Sequence, residues 1–381
     1  MVYRRTRTIY AERPVDMAPD LLHKTSDSRT EAETMTRFHI PHEAAPHSAI
    51  WTAWPSHGDL WEENLTPARA EVAAMIRALA DLDPATGFAR GEVINVLVCG
   101  EEAQGSAENA IGDVATVIQA EFGDIWLRDT GPIFGIFEAS EIALHPTFNG
   151  WGGKYRLSGD ASVAEFVANR AGVAMRDVPL TIEGGALEFD GAGTVLTTRE
   201  CLLNDNRNPG LKESAAEDVL KEYFGVEKVL WLDRGLINDH TDGHIDNVAR
   251  FLGDGRVLCQ SPADRNDPHA ARLKEAAKAL RKMKDAQGRK LRVIEIPAPG
   301  RVDDPDGEAM PASHMNYVIG NRAVVVPVYD TPSQGAAIAG LASLFTDRRV
   351  IGSPATGILS GGGAFHCITQ HQPETSGEAS P

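Results

Sequence analysis

Cysteine is scarce in this sequence, and its scarcity argues against two common kinds of site. Only four of the 381 residues are cysteines, at positions 99, 201, 259 and 367, and no two of them form a C-x-x-C pair. Disulfide frameworks and zinc knuckles need closely spaced cysteines, so we expect neither here. Widely separated cysteines are typical of a reducing compartment, and the sequence therefore predicts a cytoplasmic protein.

Basic residues are also scarce relative to acidic ones. The chain has 37 lysines and arginines against 54 aspartates and glutamates, which gives a formal net charge of -17. Nucleic acids and anionic membranes repel a chain of this charge, so we expect neither as a partner. The charge is compatible with a small cationic substrate, although acidity alone identifies no ligand.

Long apolar runs are missing as well. No run approaches the roughly 20 apolar residues that a membrane-spanning helix needs. The first 35 residues contain several arginines and no apolar segment of signal-peptide length. We therefore interpret residues 1–35 as a flexible N-terminal extension and residues 36–381 as a single domain. A domain of this length can bury a large core, and it allows a homo-oligomer.

From residue 40 onward, short apolar strands alternate with amphipathic helices. Strands are predicted over residues 48–54 and 92–99, and a helix between them is predicted to begin at Pro67 with Thr66 as its N-cap. A second helix is predicted over residues 107–119, followed by a loop over residues 124–132. The pattern indicates a mixed α/β fold.

The rest of the chain repeats a hairpin followed by a helix and a strand. Hairpins are predicted over residues 181–198, 245–260 and 317–326, each across a glycine-containing turn. A helix and a further strand follow each of them. Repeated β-β-α-β units predict several similar modules rather than one doubly wound sheet.

Four polar, glycine-containing loops lie beside these predicted strands. They cover residues 126–132, 183–185, 240–247 and 361–373. Binding and catalytic groups concentrate on loops that a rigid scaffold holds in place. Side chains from these four loops are therefore the candidates for a shared site.

The last of these loops has three consecutive glycines, ending at Gly363, followed closely by His366 and Cys367. A glycine-rich backbone can turn sharply and approach a ligand closely. A cysteine on such a turn is typical of a presented nucleophile, whereas most isolated cysteines are buried and inert. The other loops are needed to decide between these interpretations.

The third loop contains the sequence His244-Ile-Asp246. In an extended segment, residues two apart point to the same side, so His244 and Asp246 would face one pocket. The pair could chelate a metal or could simply cap a strand end. Because no second histidine motif completes a zinc or iron shell, we expect no metal.

Together the loops supply a cysteine, a histidine, two aspartates and a glutamate. Cysteine and histidine alone would suggest acyl transfer, but an amide substrate needs an oxyanion hole rather than negative charge. Paired carboxylates instead fit a planar cation with several N–H donors, such as guanidinium. A thiolate could attack its central carbon, and a histidine could protonate the departing ammonia and then activate water.

Five motifs in the sequence resemble those of the agmatine deiminases, which belong with the bacterial-type peptidylarginine deiminases in the guanidine-modifying, or pentein, superfamily. They occur in family order over residues 40–373, which is far more specific than any one motif. The motifs are Trp126-Leu-Arg-Asp129-Thr-Gly-Pro132, Glu183-Gly-Gly185, Glu200-Cys-Leu-Leu-Asn204 with Arg207-Asn-Pro209, Asp242-Gly-His-Ile-Asp-Asn247, and residues 361–370.

The resemblance implies a five-bladed α/β propeller of ββαβ units around one central active site, with no cofactor. It implies hydrolysis of agmatine to N-carbamoylputrescine and ammonia, a step of putrescine biosynthesis, through a covalent amidino-cysteine. The resemblance implies that Cys367 is the nucleophile and His244 the general acid/base. It implies that Asp129 and Asp246 bind the guanidinium, that Glu183 supports the histidine and that Trp126 forms a wall of the pocket.

The sequence departs from the family pattern at two positions. His240 stands where many agmatine deiminases have an acidic residue, near the far end of the substrate, and His371 replaces a usual glutamine. The substrate tail is therefore open: arginine, peptidylarginine or another guanidino compound is an alternative. An amidinotransferase or a non-catalytic guanidine-binding protein also stays open. Asp59 and Trp61 resemble a family segment that could line the tail pocket, with Gly363 lying close to the substrate.

Overall fold

Short strands pair into five separate small sheets within residues 38–375, the range that the computed structural model describes. The predicted extension over residues 1–35 lies outside this range. The first sheet has the spatial order β16 (Thr369–Pro373), β1 (His47–Ala53), β2 (Ile94–Val98) and β3 (Thr116–Gln119).

The other four sheets each contain three strands in chain order. They are β4 (Ile133–Phe137), β5 (Ser140–Thr147) and β6 (Ala174–Thr181); β7 (Glu188–Phe189), β8 (Thr194–Thr198) and β9 (Lys228–Leu232); β10 (Ala249–Gly253), β11 (Arg256–Ser261) and β12 (Arg292–Pro297); and β13 (Val318–Ile319), β14 (Ala323–Val328) and β15 (Arg349–Pro354). The α-helices are α1 (Gly58–Trp61), α2 (Leu65–Ala80), α3 (Glu101–Ile111), α4 (Leu127–Thr130), α5 (Gly150–Gly153), α6 (Val163–Ala171), α7 (Arg199–Leu202), α8 (Glu213–Phe224), α9 (Ala270–Leu280), α10 (Gln334–Leu344) and α11 (Thr356–Leu359).

Each three-stranded sheet repeats one unit. Its first two strands are antiparallel, a helix follows, and the third strand returns parallel to the second, as in β10, β11, α9 and β12. The parallel pair needs a crossover helix, and that helix covers one face of the sheet. The predicted ββαβ repeat is confirmed, and the fold is the five-bladed α/β propeller of the pentein superfamily.

The first sheet joins the two ends of the described chain. Strand β16 pairs antiparallel with β1, with Thr52 opposite Thr369 and Trp51 opposite Gln370. The Thr52 hydroxyl also donates a hydrogen bond to the carbonyl of Ile368 at 2.7 Å. The sequence analysis does not predict β16 as a strand. Its pairing with β1 fixes the backbone immediately after Cys367.

Several predicted boundaries were wrong. The helix predicted over residues 107–119 is two elements, because α3 ends before Gly112 and residues 116–119 form β3. The β-branched residues of β3 favour extended structure, and pairing with β2 supplies their hydrogen bonds. Asn64, not Thr66, stands at the N-cap position of α2. The predicted hairpin at residues 181–198 pairs only over the two residues of β7. No helix within residues 38–375 has the length and apolar character needed to cross a bilayer.

Candidate active site

Every blade contributes at least one polar residue from the segment just before its first strand. The first strands of neighbouring blades touch, as β16 touches β4 and β7 touches β10. The segments leading into these strands therefore meet around one axis. The residues in question are Cys367 before β16, Asp129 before β4, Glu183 before β7, Asp246 before β10 and Asn316 before β13.

The space beside Gly185 shows how closely these groups converge. A Cβ atom built on Gly185 would lie 2.5 Å from Nδ1 of His244, 3.0 Å from Oδ1 of Asp129 and 3.1 Å from Oδ2 of Asp246. Only a glycine leaves this position open. Three groups from two separately predicted loops therefore face one small volume.

Cys367 lies beside Asp246 and makes two hydrogen bonds with Asn316. Its thiol lies 3.5 Å from Oδ2 of Asp246, and its Sγ atom lies 3.1 Å from Nδ2 of Asn316, which donates to it. The Asn316 Oδ1 atom also accepts from the backbone N–H of Cys367. Burial raises the pKa of the Cys367 thiol well above its ordinary value, and the charges of Asp246 and Asp129 raise it further. In the free protein the sulfur is therefore protonated at neutral pH.

Asp129 is held by two donors on opposite sides. The backbone N–H of Gly185 donates to its Oδ1 at 3.0 Å, and the indole N–H of Trp151 donates to its Oδ2 at 2.8 Å. Burial raises the pKa of Asp129, although the charge of His244 acts in the opposite direction. A cation that entered the site would favour the ionised form.

Asp246 is completely buried and turned by His366. Nδ1 of His366 lies 2.8 Å from Oδ2 of Asp246, whereas Oδ1 of Asp246 has no hydrogen-bond partner among residues 38–375. Burial alone would raise the pKa of Asp246, but the hydrogen bond and charge of His366 outweigh it and lower the pKa. Asp246 belongs to a 3-10 turn, Ile245–Asn247, rather than to the predicted extended segment, yet it still faces the same site as His244.

His244 lies between two carboxylates. Its Nδ1 is 3.8 Å from Oδ1 of Asp129, and its Nε2 is 3.6 Å from Oε2 of Glu183. Burial by itself would lower the pKa of His244, but the surrounding negative charges raise it well above its ordinary value. Arg207 in turn donates to Oε1 of Glu183 at 2.7 Å, which keeps that carboxylate fixed and ionised.

A pocket of about 430 Å³ leads from solvent to Cys367 and Asp129. The buried rings of Trp126 and Trp151 line its inner part, and the half-buried Tyr155, Leu157 and His240 lie toward its mouth. Asp124 fixes Trp126 by accepting from its indole N–H at 2.6 Å. The pocket is therefore narrow and aromatic near the sulfur and more polar at the entrance.

The remaining predicted binding residues are placed differently from one another. A Cβ atom on Gly363 would lie 2.7 Å from Trp126 and 3.0 Å from Sγ of Cys367, so the glycine lets the loop pass close to both. Trp61 is buried and stacked near Trp126, with ring centroids 6.3 Å apart. Asp59 does not reach the pocket and is exposed on α1. Asp59 and Trp61 are two residues apart in a helical turn, so they point in nearly opposite directions, and Trp61 is the one that is buried.

One cluster within residues 38–375 has the spacing of metal ligands, and it is not the predicted H-x-D pair. Glu183, Cys201 and His244 bring their ligand atoms within 4.8 Å of one another. The guanidinium of Arg207 already binds Glu183, and its positive charge opposes a cation at this point. We interpret the cluster as a polar network that supports His244.

Comparison with known proteins identifies the family. A family model of the Porphyromonas-type peptidyl-arginine deiminases matches residues 39–373. The chain belongs to this family. This confirms the resemblance recognised from the five motifs.

Several peptidyl-arginine deiminase family members are similar over nearly their whole length. The agmatine deiminase of Ectopseudomonas mendocina is 37% identical over 364 residues, which cover 89% of this chain and 96% of that protein. The agmatine deiminase of Pseudomonas aeruginosa strain LESB58 is 35% identical, with coverage of 88% and 95%. The solved agmatine deiminase of Enterococcus faecalis superposes with a TM-score of 0.80 at 32% identity, with coverage of 89% and 96%.

Sequence reasoning missed two residues of this family member's site. Trp151 contacts Asp129 from α5, where the backbone of Trp151 has a positive φ of 52° between glycines. The glycine-rich run around it was the available signal. Asn316 precedes the first strand of its blade, as the other site residues do, so the internal repeat could have located it.

Proposed function

We propose that this protein is an agmatine deiminase, which hydrolyses agmatine to N-carbamoylputrescine and ammonia. The observation that carries the proposal is the convergence of two carboxylates and a histidine on one small volume beside a buried thiol. Similarity to agmatine deiminases over about nine-tenths of the chain supports the same activity. Paired carboxylates match the planar, cationic guanidinium group by charge-assisted hydrogen bonds.

In the proposed reaction, Asp129 and Asp246 hold the guanidinium in front of Cys367. The positive charge of the substrate lowers the pKa of the thiol, which opposes the effect of burial and of the two carboxylates. The thiol releases its proton to solvent, and the resulting thiolate Sγ attacks the central guanidinium carbon. The C–N bond to one amino group then breaks as the His244 imidazolium gives its proton to the leaving ammonia. The product of this half-reaction is an amidino-cysteine.

In the second half-reaction, His244 removes a proton from water as the water attacks the amidino carbon. The C–S bond breaks, the ureido product leaves and the thiolate of Cys367 is restored. Glu183 supports His244 in both half-reactions, because its Oε2 faces Nε2 of the ring while Arg207 fixes the other oxygen. Trp126 and Trp151 form apolar walls that suit an alkyl tail.

The reaction requires no cofactor or metal in this scheme. We expect activity to persist after exhaustive chelation. Loss on chelation with recovery on adding zinc or manganese would contradict the scheme and would favour a metal at Glu183, Cys201 and His244.

A substrate panel tests the proposal. The protein is incubated with agmatine, arginine and a blocked arginine peptide, and ureido product and ammonia are measured. Preference for agmatine is expected; preference for arginine or for the peptide would identify the alternative deiminases, and transfer to an added amine would identify an amidinotransferase. Absence of turnover with every guanidine would favour a binding protein.

Matched variants test the assigned roles. Cys367→Ser is expected to abolish turnover, whereas Cys259→Ser, at a buried cysteine of β11, is expected to retain it. Asp129→Asn and Asp246→Asn remove one negative charge each and should lower kcat/KM by orders of magnitude for every guanidine. Near-normal rates in the Asn variants would contradict guanidinium binding.

The proposal treats residues 36–381 as one catalytic domain, because the reacting groups come from positions as far apart as Asp129 and Cys367. We also propose a cytoplasmic location, which the widely separated cysteines favour, and no nucleic-acid or membrane partner, as the net charge of -17 favours. Cell fractionation and a nucleic-acid binding assay would check these points.

A further inference from the structure

His366 lies next to Cys367 in sequence, but its ring does not line the pocket that leads from solvent to Cys367 and Asp129, called here the front pocket. The ring is completely buried between two carboxylates from different parts of the chain. Its Nδ1 lies 2.8 Å from Oδ2 of Asp246, and its Nε2 lies 2.8 Å from Oε1 of Glu43. An ionised carboxylate can only accept hydrogen bonds, and a neutral imidazole has a single N–H to donate. Donation to both partners therefore requires the imidazolium form.

The charges around the ring lead to the same conclusion. Glu43 pairs with Arg250 and, at 2.9 Å, with Arg128, and Arg250 also pairs with Glu188 at 2.8 Å. Two guanidinium groups thus face the carboxylates of Glu43, Glu188 and, beyond the ring, Asp246. A third positive charge in this buried region balances the third carboxylate, because unpaired buried charges are costly.

No other group nearby supplies that charge. His371 also faces Glu43, but burial lowers its pKa well below the ordinary value despite the carboxylate, so it is neutral. His244 acts on Asp246 from the opposite side and already faces Asp129 and Glu183. The titratable and charged groups that face His366 or Asp246 come from every element packed against them and are Glu43, Arg128, Asp129, Glu188, His244, Arg250, Cys367 and His371.

We propose that His366 is a positioning residue: its imidazolium, with Glu43 as counter-ion, keeps Asp246 ionised and turned so that Oδ1 faces the substrate guanidinium. The identity of that substrate group rests on the proposed function. His366 does not line the front pocket. Glu43 instead borders a separate cavity of about 550 Å³, together with Arg128 and His371. The residue therefore acts on the guanidinium only through Asp246.

The variant His366→Asn tests this role. The side-chain amide can replace the Nδ1 donor, but it carries no charge and does not reach Glu43. In a Cys367→Ser background, which holds substrate without turnover, the Kd for agmatine should rise about 10- to 100-fold. In the otherwise wild-type enzyme, the loss should appear mainly in KM.

The pH profile supplies a readout that a purely structural role would not move. Asp246 binds a cation only when ionised, so in the Cys367→Ser background the affinity for agmatine falls as the pH drops through the pKa of Asp246. Removing the imidazolium removes a stabilising charge and raises that pKa, so the pH at which agmatine affinity is lost on acidification should rise. Glu43→Gln should move it in the same direction by a smaller amount, because the ring remains but loses its counter-ion.

A matched control separates positioning from packing. His269 is also buried, and within residues 38–375 its ring bonds only to the carbonyl of Met310. His269→Asn should lower Tm while leaving the Kd for agmatine and its pH dependence in place. If His366→Asn behaves in the same way as His269→Asn, the proposal is overturned.

A direct measurement does not depend on turnover. In protein labelled with ¹⁵N-histidine, both ring nitrogens of His366 should carry protons at neutral pH, with the signal assigned by its loss in His366→Asn or its shift in Glu43→Gln. A neutral tautomer would overturn the proposal even if His366→Asn fails to fold. If wild-type protein turns over no guanidine, the proposed function fails instead, and the ring measurement still decides the charge state.

Discussion

Gly185 lies so close to His244 that any side chain at this position would collide with the imidazole. Its hypothetical Cβ atom falls 2.5 Å from Nδ1, a distance that real Cβ atoms do not adopt, and lies nearly as close to Asp129 and Asp246. The volume that would receive the guanidinium carbon and its amino groups thus depends on a missing methyl group.

Gly185→Ala is therefore expected to remove activity without unfolding the protein. Its φ lies outside the left-handed range, so alanine adds no backbone strain and the collision is the only cost. Displacing His244 or a carboxylate by about 1 Å should lower kcat/KM about 100-fold or more. Gly105→Ala is the control, because nothing lies within 4 Å of its Cβ position in α3; it should keep full activity. A normal kcat/KM for Gly185→Ala would contradict the assigned geometry.

Trp151→Phe is expected to weaken catalysis by removing one donor. The ring still packs edge-on against Phe148, with centroids 4.9 Å apart, but Asp129 loses the indole N–H at 2.8 Å. Hydrogen bonds to charged groups contribute about 1.5–3 kcal/mol, so kcat/KM should fall about 10- to 100-fold. Trp54→Phe is the matched control, since the Trp54 indole N–H is buried without a hydrogen-bond partner among residues 38–375. Equal effects of the two substitutions on kcat/KM would show that packing, not the hydrogen bond, is responsible.

Sequence patterns predicted the chemistry of the site better than its support. Cys367, His244 and Asp246 stand in short motifs whose residue types already suggest guanidinium chemistry. Trp151 acts through a hydrogen bond to Asp129 and Asn316 through hydrogen bonds to Cys367, and nothing in their local sequence predicts these contacts. Asp59 was placed in the pocket by motif alone, without regard to the direction of its side chain on α1.

The same limit applies to the fold. The ββαβ repeat follows from local periodicity, whereas β16 exists because its backbone pairs with β1 more than 300 residues earlier. The β-branched residues of Thr116–Ile118 favour extended structure, but the segment is too short to show a strand period, and the parallel pairing with β2 that supplies its hydrogen bonds is not visible in the sequence. Long-range pairing of this kind leaves no periodic signal in a short segment.

The pH dependence should differ between kcat/KM and kcat. In the free enzyme, the pKa values of both Cys367 and His244 are raised, the first by burial and neighbouring carboxylates, the second by the charges of Asp129 and Glu183 against the effect of burial. Attack needs the thiolate and the imidazolium together. The rate kcat/KM should therefore rise as Cys367 loses its proton and fall as His244 loses its proton, with an optimum on the alkaline side of neutrality.

Bound guanidinium lowers the pKa of Cys367, so the rising limb of kcat should lie at lower pH than that of kcat/KM. Coincident limbs would contradict activation of the thiol by substrate.

His240→Asp is expected to change the preference for the substrate tail and to leave the guanidinium chemistry alone. His240 lies at the pocket mouth, where its Nδ1 is 3.0 Å from the hydroxyl of Tyr155, and burial lowers its pKa, so the wild-type ring is neutral at pH 7. An aspartate would add a negative charge that favours the cationic tail of agmatine over arginine, whose tail also carries a carboxylate. The nearby ammonium of Lys154, which donates to the His240 carbonyl at 2.8 Å, would offset part of that charge. The ratio of kcat/KM for agmatine to that for arginine should therefore rise only several-fold, about 1 kcal/mol, and the change should shrink at high salt.

His240→Asn has the same shape as His240→Asp without the charge, so the difference between the two variants isolates the electrostatic effect. If both variants give the same ratio, the mouth residue does not select the tail by charge, and the preference must come from the aromatic inner pocket.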